Sequence, residues 1–128
     1  MKLLLDTHVL LWAAGDPSKL SRKTRALLSA ADNDLLFSVA SLWEIAIKRR
    51  LNRADFKADP RLLRRGLLDN GYAEIVIASA HVVAVDSLPD LHKDPFDRLL
   101  IAQAQIEGVV LLTSDDRVLR YGEPALKA

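Results

Sequence analysis

A chain of 128 residues, half of them apolar, can bury a real core, hiding roughly two-thirds of its unfolded surface in one domain. A formal net charge of +1 excludes a polycation, so any contact with nucleic acid has to come from a local patch. The absence of cysteine excludes disulfides, thiolate zinc sites and cysteine nucleophiles, and no apolar run approaches the roughly 20 residues that cross a bilayer.

Lys2-Leu3-Leu4-Leu5 predicts a short buried strand. It is too short for the apolar region of a signal peptide and meets Asp6 at once, so a reducing cytoplasm is the expected location. Asp6-Thr7-His8 opens a helix carrying Val9, Leu10, Leu11 and Trp12, which Gly15-Asp16-Pro17 breaks. Ser21 caps a second helix reaching about Ala31, with Leu27 and Leu28 as core candidates. Asp32-Asn33-Asp34 turns the chain into a strand, Leu35-Leu36-Phe37-Ser38. The next helix runs from about Val39 to Leu51, and Val39, Leu42, Trp43, Ala46 and Ile47 have the spacing of its buried face. Asn52 to Pro60 is a polar connection, followed by a helix that ends at about Asn70-Gly71. Glu74-Ile75-Val76-Ile77 is strand-like, Ala78 to about Asp86 is helical, and Leu88-Pro89-Asp90 ends it. Asp94-Pro95 reads as a cap and first helical position, with the helix running to Glu107 before Gly108. Val109 to Thr113 is a strand, about Asp116 to Arg120 a short helix, and Ala125-Leu126 a weak edge strand. This alternation predicts a single α/β domain over residues 1–128: a three-layer α/β/α sandwich on a mostly parallel, five-stranded sheet.

Four acids fall at the junctions of these elements: Asp6, Glu44, Asp97 and Asp115. In an open α/β sheet, ligands bind beyond the carboxyl ends of the strands. Carboxylates gathered there without opposite charge repel one another and have raised pKa values. A hard divalent cation, Mg²⁺ or Mn²⁺, relieves that repulsion. Each acid also has an ordinary reading. Asp6 caps the first helix, Ser41-Leu42-Trp43-Glu44 matches a capping box, Asp94 caps while Asp97 faces the helix dipole, and Asp115 and Asp116 open the last helix. Thr7, Thr113 and Ser114 are placed to hydrogen-bond carboxylates from a second layer. His8 reads as a surface or capping residue at a helix start or as one that touches substrate or second-layer groups, His92 orders the loop before Asp94, and His81 is structural; Trp12 and Trp43 sit at core spacings, with a partner-binding groove along their helices as the second reading.

A basic stretch carries Lys48, Arg49, Arg50, Arg53, Lys57, Arg61, Arg64 and Arg65 against Asp55 and Asp59. It reads either as a solvated helical face or as a surface for a phosphate backbone, with Arg49, Arg50, Arg53, Arg61, Arg64 and Arg65 as the RNA-binding candidates.

Leu-Leu-Leu-Asp6-Thr7-His8, Ser41-x-Trp43-Glu44-Ile45, His92-x-Asp94-Pro95-Phe96-Asp97-Arg98 and Leu-Leu-Thr113-Ser114-Asp115 together resemble the PIN domain, and more narrowly the VapC toxins of bacterial type II toxin–antitoxin pairs. The resemblance runs from Lys2 to about Gly122. It implies a Mg²⁺- or Mn²⁺-dependent endoribonuclease that cuts in line and leaves a 5′-phosphate and a 3′-hydroxyl. Asp6, Glu44, Asp97 and Asp115 are implied as the metal-binding and catalytic set; members differ in whether the fourth acid, Asp115, binds metal directly, and Asp116 is implied as its substitute or outer-shell partner. A homodimer and a cognate VapB-type antitoxin, joined in a larger toxin–antitoxin assembly, are also implied.

Three other readings fit the sequence less well. A structure-specific DNA nuclease needs a threading arch for which this chain lacks length. A receiver domain needs an acidic pair after strand one and a phosphorylatable Asp after strand three, where this chain has Asp6-Thr7-His8 and Glu74-Ile-Val-Ile-Ala-Ser. A non-catalytic PIN-like module does not need four intact acids.

Overall fold

The computed structural model describes all 128 residues. Five strands, β1 (Lys2–Leu5), β2 (Asp34–Ser38), β3 (Ala73–Ile75), β4 (Val110–Thr113) and β5 (Ala125–Lys127), form one sheet in the order β3-β2-β1-β4-β5. Every neighbouring pair is parallel. Leu3 of β1 is in register with Leu35 on one side and Val110 on the other. The chain leaves β1 toward β2 and β3, then crosses to β4 and β5. The order therefore reverses between β1 and β4, and the crevice at that reversal is where such sheets bind ligands.

Seven α-helices cover the two faces: α1 (Thr7–Gly15), α2 (Arg22–Ser29), α3 (Val39–Arg50), α4 (Pro60–Asp69), α5 (Ser79–Val85), α6 (Pro95–Glu107) and α7 (Asp116–Leu119). The period-two geometry of a strand divides the core. Leu4, Leu36 and Leu111 pack on one face against Leu99 to Ala102 and Ala104 of α6, with Ala40 and Val118. Leu3, Leu5, Phe37 and Leu112 pack on the other against Val9 and Leu10 of α1 and Leu67 of α4. The middle strand is buried on both sides, which is why its code is a plain run of leucines rather than an alternation.

Helix ends follow local chemistry. Asp6, Ser21, Asp59, Asp94 and Asp115 each cap the helix they precede by accepting a backbone N–H. Gly108 ends α6 in the left-handed conformation, at φ 65°, where a side chain is costly.

Helix α3 departs from the expected orientation. Its buried residues are Ala40, Ser41, Glu44 and Ile45, whereas Trp43 is 54% exposed and Ile47 is 38% exposed. The N-cap is Ser38, which accepts the N–H of Ala40, so Ser41 and Glu44 do not form a capping box. Small Ala40 and Ser41 let the helix approach the sheet, and Glu44 is tolerated inside because Lys48, one turn on, supplies the opposite charge. Trp43 instead lays its ring edge-on against Phe96, with centroids 5.0 Å apart. Trp12 is half-buried at the edge of the second core.

Candidate metal centre

Asp6 ends β1 and continues its ladder through a 3.0 Å hydrogen bond from its N–H to the Leu112 carbonyl. Its Oδ1 accepts the Val9 N–H at 2.9 Å, and its Oδ2 accepts the Thr113 hydroxyl at 2.5 Å. The same Thr113 oxygen accepts the Asp115 N–H at 3.1 Å. One threonine thus ties together the acids that follow the two central strands. Burial pushes the Asp6 carboxyl above its ordinary range, against the downward pull of these hydrogen bonds.

Glu44 is 3% exposed. Its Oε2 accepts from the Lys48 ammonium at 2.5 Å. Its Oε1 is buried with no hydrogen-bond partner. A buried carboxylate oxygen without a partner is costly, and such an orphan suits a cation ligand. Lys48 also comes within 4.0 Å of Asp94 and lies over the rings of Phe56 and Phe96.

Asp97 stands in the first turn of α6. Asp94 caps that turn, taking the N–H groups of Phe96 at 2.9 Å and Asp97 at 3.0 Å. This agrees with the expected cap-and-proline start. Asp97 Oδ2 lies 2.7 Å from His92 Nε2. Burial raises its carboxyl to about 6; the His92 hydrogen bond lowers it, and the charges of Asp94, Asp6 and Glu44 add to the rise. Repulsion among the acids is therefore real, but burial is the larger cause.

Asp115 caps α7 through the Arg117 N–H at 2.8 Å, and the Arg117 guanidinium contacts both of its oxygens at 3.3 and 3.2 Å. Partial burial favours a higher value, yet these contacts hold Asp115 below the usual carboxylate range. The expectation of acids without opposite charge is corrected here: Glu44 has Lys48 and Asp115 has Arg117, while Asp97 has a hydrogen-bond partner in His92.

Nor do the four acids meet at one point. The set whose ligand atoms all lie within 4.8 Å of one another is His92, Asp97 and Asp115. Asp6 and Glu44 act on Asp97 as nearby charges. His92 does more than order a loop; its signal in the sequence is its place in the His92-x-Asp94-Pro95-Phe96-Asp97 motif. Lys48 is more legible, since position i+4 from Glu44 faces it on a helix.

The second-layer candidates divide. Thr113 touches two acids, whereas the buried Thr7 hydroxyl donates to Ser41 at 3.0 Å rather than to a carboxylate. Ser114 and Asp116 are exposed. His8 pairs with Asp55 at 3.2 Å and packs on Trp12 and Phe56. His81 is buried and structural, its Nδ1 accepting the Ala78 N–H at 3.0 Å. In the basic stretch, Arg49, Arg53 and Arg64 pair with Asp59, Asp55 and Glu74. Arg50, Arg61 and Arg65 are exposed and make no ion pair within 4.0 Å.

The chemistry of the donors suits a divalent cation: carboxylate oxygens of Asp97 and Asp115 with the His92 imidazole, and nearby the buried, orphaned Glu44 Oε1.

The family model described as PIN domain matches residues 3–124. The chain is 27% identical over 122 residues to Ribonuclease VapC22 of Mycobacterium tuberculosis, covering 95% of this chain and 93% of that protein. Among solved structures it is similar to VapBC2 from Rickettsia felis bound to a promoter DNA fragment, with a TM-score of 0.70 at 16% identity over 100% of this chain and 98% of that one. VapBC-1 from nontypeable Haemophilus influenzae gives 0.66 at 13% identity, over 100% and 97% of the two chains. A toxin–antitoxin complex from Klebsiella pneumoniae gives 0.64 at 17% identity, over 97% and 95%.

Proposed function

The chain belongs to the PIN-domain family, and from that premise we propose that it is the toxin of a type II toxin–antitoxin pair, a divalent-cation-dependent endoribonuclease. The observation that carries this reading is the buried, unpartnered Glu44 Oε1 near Asp97, a carboxyl whose ionisation the charges of Asp94, Asp6 and Glu44 disfavour. A cation completes such a site. Asp6, Glu44, Asp97 and Asp115 are the residues proposed to hold Mg²⁺ or Mn²⁺. When bound, the cation supplies Lewis acidity, lowering the pKa of a water and offsetting charge on the scissile phosphate.

The chain's own residues do the positioning. Thr113 holds Asp6 Oδ2 and the Asp115 backbone. Asp94 sets the first turn of α6 and with it Asp97. Lys48 fixes one oxygen of Glu44 and leaves the other buried and free to bind. Arg50, Arg61 and Arg65, exposed and without ion pairs, are the members of the basic stretch best suited to phosphates of an RNA strand.

The proposed assembly is a homodimer of single PIN domains over residues 1–128, acting in the cytoplasm and silenced by a VapB-type antitoxin. No helix is long and apolar enough to cross a membrane. A cleft of about 730 Å³ between α1, α2 and α4, lined by Leu11, Ala14, Leu28, Leu62, Leu63 and Tyr72, suits the apolar face of an antitoxin helix. It is bordered by α1, and neither Trp12 nor Trp43 is part of its lining.

Expression in cells tests the reading. The chain should arrest growth, Asp6→Asn should not, and the neighbouring open reading frame should relieve the arrest. Leu62→Glu should remain toxic but escape relief. No arrest, or arrest by Asp6→Asn, would count against it.

A further inference from the structure

His92 is buried, yet its imidazole is not placed as a core residue. Nε2 lies 2.7 Å from Asp97 Oδ2 and 4.0 Å from Asp115 Oδ2. Two neighbouring ligands of one cation, at bonds of about 2.1 Å, lie about 3 Å apart, and two opposite ligands lie about 4.2 Å apart. The two separations from Nε2 match those of a single coordination sphere within a few tenths of an ångström.

The loop that carries His92 is held from behind. The Arg98 guanidinium, 14% exposed, donates to the carbonyls of Val85, Leu88, Pro89 and His92 and to the Tyr121 hydroxyl, at 3.0 to 3.4 Å. A charged side chain that is mostly buried thereby ties the segment running from the end of α5 to His92 onto Tyr121. Its effect is to fix the backbone of His92 against α6, the helix that presents Asp97. Preorganisation of this kind is what a ligand residue needs. Glu44 Oε1, orphaned and buried, points independently to a cation.

We propose that His92 is a direct metal ligand through Nε2, forming with Asp97 and Asp115 a nitrogen-bearing set that selects a transition ion of the Mn²⁺ type over Mg²⁺. The assignment rests on the divalent-cation reading above and adds a residue to it. All-oxygen sites suit Mg²⁺, whereas imidazole shifts preference toward first-row transition ions. Nε2 would bind as the free base, with the ring's remaining proton on Nδ1.

The test uses the full chain loaded with Mn²⁺ alone, read by electron spin-echo modulation and by competition with Mg²⁺. Wild type should show modulation from a directly bound ¹⁴N. Growth on ¹⁵N-histidine should convert it to the ¹⁵N pattern, a readout that needs no variant. His92→Gln should lose the nitrogen signal and bind Mn²⁺ at least about tenfold more weakly, with a smaller loss for Mg²⁺. His8→Gln should keep the signal. Mn²⁺ bound without any nitrogen coupling, or coupling that survives in His92→Gln, would overturn the assignment and leave the ribonuclease reading standing. Failure to bind Mn²⁺ at all would overturn both.

Discussion

Glu44 gives one carboxylate oxygen to the Lys48 ammonium 2.5 Å away and keeps the other buried without a partner. The pair is mostly enclosed, with side chains 4% and 18% exposed. Breaking a buried pair by removing one partner is far more costly than losing a surface pair.

Lys48→Met should therefore destabilise the metal-free protein by about 3 kcal/mol, the low end for a buried pair because Lys48 keeps some exposure to water. Saturating Mn²⁺ should recover much of the loss, and so should a second change, Glu44→Gln. Urea unfolding in chelator and in Mn²⁺ reads this directly. A shift within about 0.5 kcal/mol, typical of a surface site, would show that Glu44 is not dependent on Lys48.

Asp97 sets a pH dependence whose sign follows from its raised pKa. In the unfolded chain it ionises near 3.8, and in the folded chain at about 6. Below about pH 4 the carboxyl is neutral in both states and costs nothing. As pH rises to about 6, the unfolded state releases the proton first, so this contribution to stability is lost. Asp6, also raised, acts in the same direction. Asp115 and Asp55 are lowered and oppose it, losing stability only as pH falls below their unfolded range. In chelator, Asp97→Asn should flatten the decline between about pH 4 and 6 seen by denaturant unfolding. An unchanged profile would remove Asp97 from this role.

The basic stretch should separate into two groups. Neutralising Arg50, Arg61 and Arg65 should reduce the salt slope of RNA binding by about 0.7 for each phosphate left without its cation. Neutralising Arg49, Arg53 and Arg64, which are already paired with acids, should change it less. Equal slopes for both triple variants and wild type would return the whole stretch to a solvated face.

Strands, caps and the return of α6 to the strand ends are legible in the sequence because they rest on local chemistry. Leu3 to Leu5, Asp94-Pro95 and Gly108 each act within a turn or two of their own position. The inward face of α3 is not legible. Apolar spacing favours Val39, Trp43 and Ile47, whereas burial of Glu44 depends on Lys48 and on a site built by distant segments. The position of His92 beside Asp115 is not legible for the same reason. Its approach to Asp115 exists only once β4 and the loop before α6 meet. Thr7 and Thr113 look alike in sequence, and only the pairing of β1 with β4 sets the Thr113 hydroxyl on Asp6.

The most direct measurement is RNA cleavage by the purified chain, with and without Mn²⁺, beside Asp97→Asn checked for an intact fold by its melting curve. Cleavage should require the cation, stop in chelator, and fall at least a hundredfold in Asp97→Asn, about 3 kcal/mol of barrier. Cleavage that persists in chelator, or an Asp97→Asn protein that cuts at the wild-type rate, would contradict a metal-dependent site built around Asp97.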